Sequence, residues 1–449
     1  MRYLYTFGII CYTVGVYVAS LWNDKARQLC DGWRHTFRRL AKSPVGNGKT
    51  AWFHASSLGE FEQGRPIIEA FRKEHPDYKI CLTFFSPSGY EVRKDYAGAD
   101  FVCYLPPDTR DNARRFLNML HPTVVFFVKY DYWFNYLEQL HMREVPTYIF
   151  STIFRPGQYF FRWYGGWFRK HLDRCFTHIF VQNKESQKLL KSHGIGHCSV
   201  AGDTRFDRVH AIAQECRSNE VVEAFLANHQ GKKVILAGSS WEPDEENLHR
   251  YLIRNEELGM RNGELDIRNE DPASGPTIPG IRNCILILAP HVIGEVHLAH
   301  IEQLFGKDNC LRYSSINTLT HSNIQTSTPP PSVLIIDNMG MLSSLYRYAD
   351  VAYIGGGFGQ GIHNILEAVT FGKPVVFGPN YGKFQEARDI IRLGGGFSYS
   401  DYTHLPPIVD SLLNDPETYQ KASLACSKYM DSNLGATRKI LSIIHETDG

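Results

Sequence analysis

Residues 350–387 read DVAYIGGGFGQGIHNILEAVTFGKPVVFGPNYGKFQEA. The run 350–356 has the length and apolar character of a buried strand, and it leads into Gly355, Gly356, Gly357 and Gly359. A helix is expected to open near His363 and Asn364 and to carry Glu367, and a second apolar strand follows at 374–378. Strand, glycine turn, helix and strand make the repeating unit of a parallel sheet covered by helices. Glycines let the backbone approach a ligand closely. A helix N-terminus offers unpaired N–H groups and partial positive charge, which suit a phosphate. A carboxylate at Glu367 can accept hydrogen bonds from ribose hydroxyls. Gly355, Gly357 and Gly359 also mimic the dinucleotide-binding spacing. That fingerprint requires an acid about 20 residues on, at the end of the next strand, where this chain has Gly378-Pro379-Asn380. A close-packed turn that binds nothing is the remaining reading, and the pattern favours a nucleotide-sugar site over both.

Outward from this segment the same alternation fills the chain. Strands are expected at 51–55, 79–85, 101–105, 123–129, 146–150 and 178–182, and again at 232–238, 284–290, 332–337, 350–356 and 374–378. Near-continuous Val, Ile and Phe indicates burial on both faces. At 449 residues one core is too few. The reading is α/β, with two Rossmann-like domains at 24–207 and 208–449 and a cleft between them. A polar helical stretch at 208–230 opens the second. Residues 254–280 read RNEELGMRNGELDIRNEDPASGPTIPG, too polar to bury, and are expected to form a surface insertion. A second polar stretch, 314–331, reads as a loop.

Residues 3–22, YLYTFGIICYTVGVYVASLW, carry no formal charge and have about the length that crosses a membrane as a helix. Lys25, Arg27, Arg34, Arg38 and Arg39 follow, which holds that side in the cytoplasm. Residues 1–23 are therefore expected to form an N-terminal anchor, spanning the membrane or lying in its interface, with a cleaved signal peptide as the rival. Net charge is +1, so no global field recruits nucleic acid. The ten cysteines form no C-x-x-C, and neither H-E-x-x-H nor D-x-D occurs, so no metal site is legible.

A second cluster, HASSLGEFEQGRP from His54 to Pro66, follows a strand and places Glu60 and Glu62 near a helix start. A carboxylate there either complements the helix dipole or, facing a ligand, acts as a general base. The two clusters together resemble the Kdo transferase family, which has the GT-B architecture. The family's H-A-x-S-x-G-E pattern stands here from His54 to Glu60. TFFSPSGY (83–90), YLPPD (104–108), GDTRFD (202–207), GSSWEPDEE (238–246), DNMGML (337–342) and GIHNILE (361–367) match in order.

The resemblance implies a glycosyltransferase that moves Kdo from CMP-Kdo to a lipid A precursor at the cytoplasmic face of the inner membrane, without metal or cofactor. It implies Glu60 as catalytic base, with Asp131 and Arg205 as further catalytic groups. It implies donor contacts from Ser239, Pro290, His291, Met339, Gly340, Met341, Gly357, Asn364, Ile365, Leu366 and Glu367. The chain departs from the family at three places. The E-T-E-L-W-P-N stretch is KYDYWFN (129–135), the family's lysine is Arg205, and its proline–arginine pair is Pro290-His291. Arg155, Arg162, Arg169 and Lys170, interleaved with aromatics, suit an acceptor-side patch or a face that touches lipid headgroups. Two alternatives remain: a GT-B enzyme using a UDP-sugar, and a non-catalytic, membrane-tethered nucleotide- or lipid-binding protein.

Overall fold

The computed structural model describes residues 2–215, 218–261, 284–316 and 330–448. All eleven expected strands form, because each apolar run is buried on both sides. Strands β1 (Thr50–Ala55), β2 (Lys79–Phe84), β3 (Phe101–Tyr104), β4 (Val124–Val128), β5 (Thr147–Thr152), β6 (His178–Val181) and β7 (Cys198–Val200) make one parallel sheet, ordered β3-β2-β1-β4-β5-β6-β7. Strands β8 (Lys233–Ser240), β9 (Cys284–Pro290), β10 (Cys310–Arg312), β11 (Val333–Ile335), β12 (Val351–Ile354), β13 (Val375–Phe377) and β14 (Gly396–Ser398) make a second, ordered β10-β11-β9-β8-β12-β13-β14. The extra strands β7, β10 and β14 are three residues each, too short to show a pattern in sequence.

Alternation along each strand sends neighbours to opposite faces. In the first sheet Trp52, Val125 and Phe127 join one core, while Phe53, Phe126 and Val128 join the other. In both sheets the chain crosses from one half of the sheet to the other at the centre, between β1 and β4 and between β8 and β12. In open parallel sheets, ligands bind outside the carboxyl ends of the strands at such a central reversal of direction.

The chain divides into two units, Met1–Arg208 with Asn433–Gly449, and Val209–Ser432. The last helix, Ala436–Asp448, therefore belongs to the first unit, and not to the second as the boundaries 208–449 implied. Its Ile440, Leu441 and Ile444 are buried beside Ala51, Phe53 and Ile67. Asp207 anchors the return by accepting hydrogen bonds from the N–H groups of Gly435 (2.7 Å) and Thr437 (2.6 Å).

The N-terminus corrects a second expectation. Residues 3–22 do not form one straight span. A helix Arg2–Ala19 is followed by Asp24–Leu40 at a bend of 119°, and no single described helix is long and apolar enough to cross a membrane. The first helix packs on the first unit: Tyr5 donates to Asp108 (2.7 Å), and Asn135 Nδ2 donates to Thr6 (3.4 Å). Of the expected insertion at 254–280, residues up to Arg261 continue the helix Glu242–Arg261, and the rest lies outside the described residues. So do 317–329 of the polar stretch at 314–331.

Candidate active site

In the first unit, β1 runs out at Ala55 and the chain turns through Ser56 and Ser57 into the helix Leu58–Glu74. Glu60 therefore stands in the first turn of that helix, where backbone N–H groups favour an anion. The Ser57 hydroxyl donates to Glu60 Oε2, and the Ser56 hydroxyl donates to Asp131 Oδ1. Asp131 follows β4, on the other side of the strand reversal. Burial, and then the Glu60 charge, push its carboxyl up to about 8. Its Oδ2 is buried and has no hydrogen-bond partner.

Beneath these acids lies a buried array that sequence reading did not single out. Trp133 Nε1 donates to His54 Nε2 (2.9 Å), so the His54 proton sits on Nδ1, facing Thr83 Oγ1 at 2.8 Å. Burial lowers His54 to about 3, so the ring is neutral and its 3.7 Å approach to Asp131 is no ion pair. Trp133 and Asn135 of the 129–135 stretch are both held by hydrogen bonds to remote residues. Asn135 ties its helix to Asp108, through its N–H (3.0 Å) and through Nδ2 to the Asp108 carbonyl (2.6 Å).

Arg205 is oriented by Asp203, which accepts from its Nε at 2.9 Å and its Nη2 at 2.8 Å. Asp203 is buried yet held below the usual carboxylate range, because Arg205 and Gln63 outweigh the cost of burial. Gln63 (3.2 Å) and Gln182 (3.1 Å) also donate to it. The charges of Arg155, Asp203, Arg205 and Glu60 all act on the half-exposed Tyr130 hydroxyl, although burial dominates its upward shift. Glu60, Asp131 and Arg205 are thus gathered in one neighbourhood at the carboxyl edge of the sheet.

The second unit is furnished differently. Gly355 and Gly357 are required by close approach: a Cβ at Gly355 would lie 2.2 Å from the Ser239 carbonyl oxygen, and one at Gly357 2.5 Å from the Gly378 nitrogen. These two glycines let the β12 exit pass between the exits of β8 and β13. The helix expected near His363 is only four residues long, Leu366–Val369, and residues 355–364 are turns and coil. Glu367 stands in that single turn and accepts from Asn364 Nδ2 (3.0 Å), while Asn364 Oδ1 accepts from the Leu366 N–H (3.2 Å). Ile365 and Leu366 are fully buried and position this turn. Ser239 takes a left-handed backbone, φ 54°, at the end of β8. Pro290 ends β9, and the exposed His291 follows it. Met339, Gly340 and Met341 form the loop after β11, with Met339 well exposed.

Two features of this unit were missed. Trp241, His291 and His363 stack, with centroids 4.7 and 4.5 Å apart, and make an aromatic surface at the edge of the glycine loop. Asp244 is buried and accepts from the N–H groups of Gly356 (2.9 Å) and Trp241 (3.0 Å) and from the Tyr353 hydroxyl (2.9 Å). It clamps the glycine loop to the helix Glu242–Arg261. The string GSSWEPDEE contained both residues, but nothing in it shows which acid turns inward.

Two parallel Rossmann-like sheets, each with polar groups at its strand reversal, define the two-domain class shared by GT-B glycosyltransferases and nucleotide-sugar epimerases. The UDP-GlcNAc 2-epimerase from Neisseria meningitidis, bound to UDP-GlcNAc, has this fold at 16% identity and a TM-score of 0.59, covering 88% of this chain and 100% of that one. Residues 31–208 match the family described as 3-Deoxy-D-manno-octulosonic-acid transferase (kdotransferase). The chain is similar to the 3-deoxy-D-manno-octulosonic acid transferase of Haemophilus influenzae, 22% identical over 92% of this chain and 90% of that protein. It is similar also to the enzyme of the same name from Aquifex aeolicus, 25% identical over 84% of this chain and 90% of that protein. Over most of its length the chain is thus similar to Kdo transferases, and its residues 31–208 match the model of that family.

Proposed function

We propose that the enzyme moves Kdo from CMP-Kdo to a hydroxyl of a lipid A precursor, with inversion and with Glu60 as base. The observation that carries this reading is the pairing of Glu60 with Asp131. Two carboxyls share one neighbourhood, and burial keeps one of them neutral near pH 7. Such a split assigns different roles to the pair. Glu60 takes the proton of the acceptor hydroxyl, whose oxygen bonds to the anomeric carbon while the bond to CMP breaks. The departing phosphate keeps that electron pair. Neutral Asp131, which accepts a hydrogen bond from the Ser56 hydroxyl, holds the turn beside Glu60. Arg205, pre-oriented by Asp203, offers a cation to the donor's charge. In the second unit Asn364 and Glu367 address the ribose, and the exposed faces of Trp241 and His291 suit a nucleobase.

The acceptor is a lipid, and the first helix presents Tyr3, Phe7, Ile10, Val14 and Val18 along one exposed stripe, with Leu21 and Trp22 beyond it. An apolar stripe of that length, followed by the cations of Asp24–Leu40, supports a helix lying in the cytoplasmic interface of the inner membrane. Trp163, 95% exposed, and Lys170 extend the same character.

The test is turnover with CMP-Kdo and a tetra-acylated lipid A precursor, followed by product mass. A mass gain of one or more Kdo units is expected. Turnover with UDP-sugars alone, or CMP binding without any turnover, would overturn the reading.

A further inference from the structure

Where the helix Leu58–Glu74 ends, far from Glu60, three metal-ligating side chains converge that no motif announced. His75 Nε2 lies 3.2 Å from His445 Nε2, and Glu74 Oε2 lies 3.4 Å from the same nitrogen. All three ligand atoms lie within 4.8 Å of one another. Zinc bonds of about 2.0–2.1 Å in tetrahedral geometry separate donor atoms by about 3.3–3.4 Å. Two edges of that tetrahedron are thus already present.

The supports are rigid. His75 packs against Phe71 (4.5 Å) and Tyr78 (5.5 Å), and His445 rides on the helix whose Ile440, Leu441 and Ile444 are buried in the core. Glu74 and His75 sit at a helix C-terminus, which favours a cation. Glu74 and His445 are exposed, so a fourth position opens to water. The other convergent set, Glu138, His171 and Cys175, is poorer. Arg174 already pairs with Glu138, and burial pushes the Cys175 thiol up to about 12.

We propose that Glu74, His75 and His445 bind one divalent zinc ion that staples the C-terminal helix to the helix carrying Glu60. Glu74 lies fourteen residues beyond Glu60, roughly 21 Å along the axis. The ion is therefore structural and takes no part in sugar transfer. Its consequence is mass-action stabilisation of the folded first unit.

The test uses the full-length, metal-stripped protein, titrated with zinc chloride against a chromophoric chelator and followed by thermal melting. One equivalent bound with a rise in Tm is expected. His75→Ala and His445→Gln are each expected to weaken that equivalent by at least about tenfold and to abolish the rise. Because His445 is exposed, His445→Gln reports on binding even if His75→Ala perturbs packing. Unchanged zinc binding and Tm response in His445→Gln would overturn the site, as would an equal response of the parent to magnesium. Kdo transfer does not enter the readout, so failure here leaves the proposed activity untouched.

Discussion

The two sheets are crossed from one half to the other at equivalent places, between β1 and β4 and between β8 and β12, yet these reversals are lined by different chemistry. The first carries ionisable groups in tension: Glu60, a neutralised Asp131, and Arg205 locked on Asp203. The second carries glycines pressed against neighbouring backbone, an aromatic stack, and one carboxylate braced by an amide. Topology supplies a place for a ligand, and side chains decide what happens there. The first place is built to move a proton and the second to hold a flat, polar molecule.

Exchange of Glu60 for Gln tests the sharpest side of that contrast. A positioned base is worth roughly 10²–10⁴ in kcat, and that loss is expected with CMP affinity unchanged in direct titration. Normal kcat in Glu60→Gln would remove the proton-transfer role from the first reversal.

Asp131→Asn tests whether the neighbouring acid is held neutral. In the fold Asp131 keeps its proton to about pH 8, whereas an unfolded aspartate loses it near 4. Its contribution to stability is thus complete below about pH 4 and declines as pH rises to about 8. Asparagine has no proton to lose and still accepts from Ser56. The variant's Tm advantage over the parent should grow from pH 4 to pH 8 and then level off. An advantage independent of pH would mean that Asp131 is ionised in the fold.

Gly357→Ala probes the packing that shapes the second reversal. The added methyl meets the Gly378 backbone, and overpacking of this kind costs about 1–3 kcal/mol, to be measured by urea denaturation. Unchanged stability would show that the β12 exit has room to shift.

Glu367→Gln probes the hydrogen bonds of the second reversal, and kcat at saturating donor should hold. CMP binding should weaken by about 1–3 kcal/mol, the usual worth of a hydrogen bond to a charged group. Equal loss of CMP affinity in Glu60→Gln and Glu367→Gln would erase the proposed division of labour.

Much of the architecture was legible in the chain because both-face burial writes itself as uninterrupted Val, Ile and Phe, as in 124–128 and 284–290. The glycine run at 355–359 likewise announced a close approach, though it did so for the sake of Ser239 and Gly378 as much as for any ligand. What could not be read were the long-range pairings. The strings 54, 83 and 133 lie far apart, and only the sheet makes His54 a neutral ring between Thr83 and Trp133. The helix at 363 shrank to Leu366–Val369 because residues 355–364 are spent on turns between packed backbones. The hydropathy of 3–22 showed an exposed apolar element but not its bend, which depends on contacts such as Tyr5 with Asp108. By itself the sequence determined the two parallel sheets, their glycine-rich and acidic exits, and the resemblance to Kdo transferases. Only the tertiary structure decided that Asp131 is protonated, that Arg205 is held by Asp203, and that the C-terminal helix returns to place His445 beside His75. Each of those depends on burial and on distances between residues remote in the chain, which local periodicity does not encode.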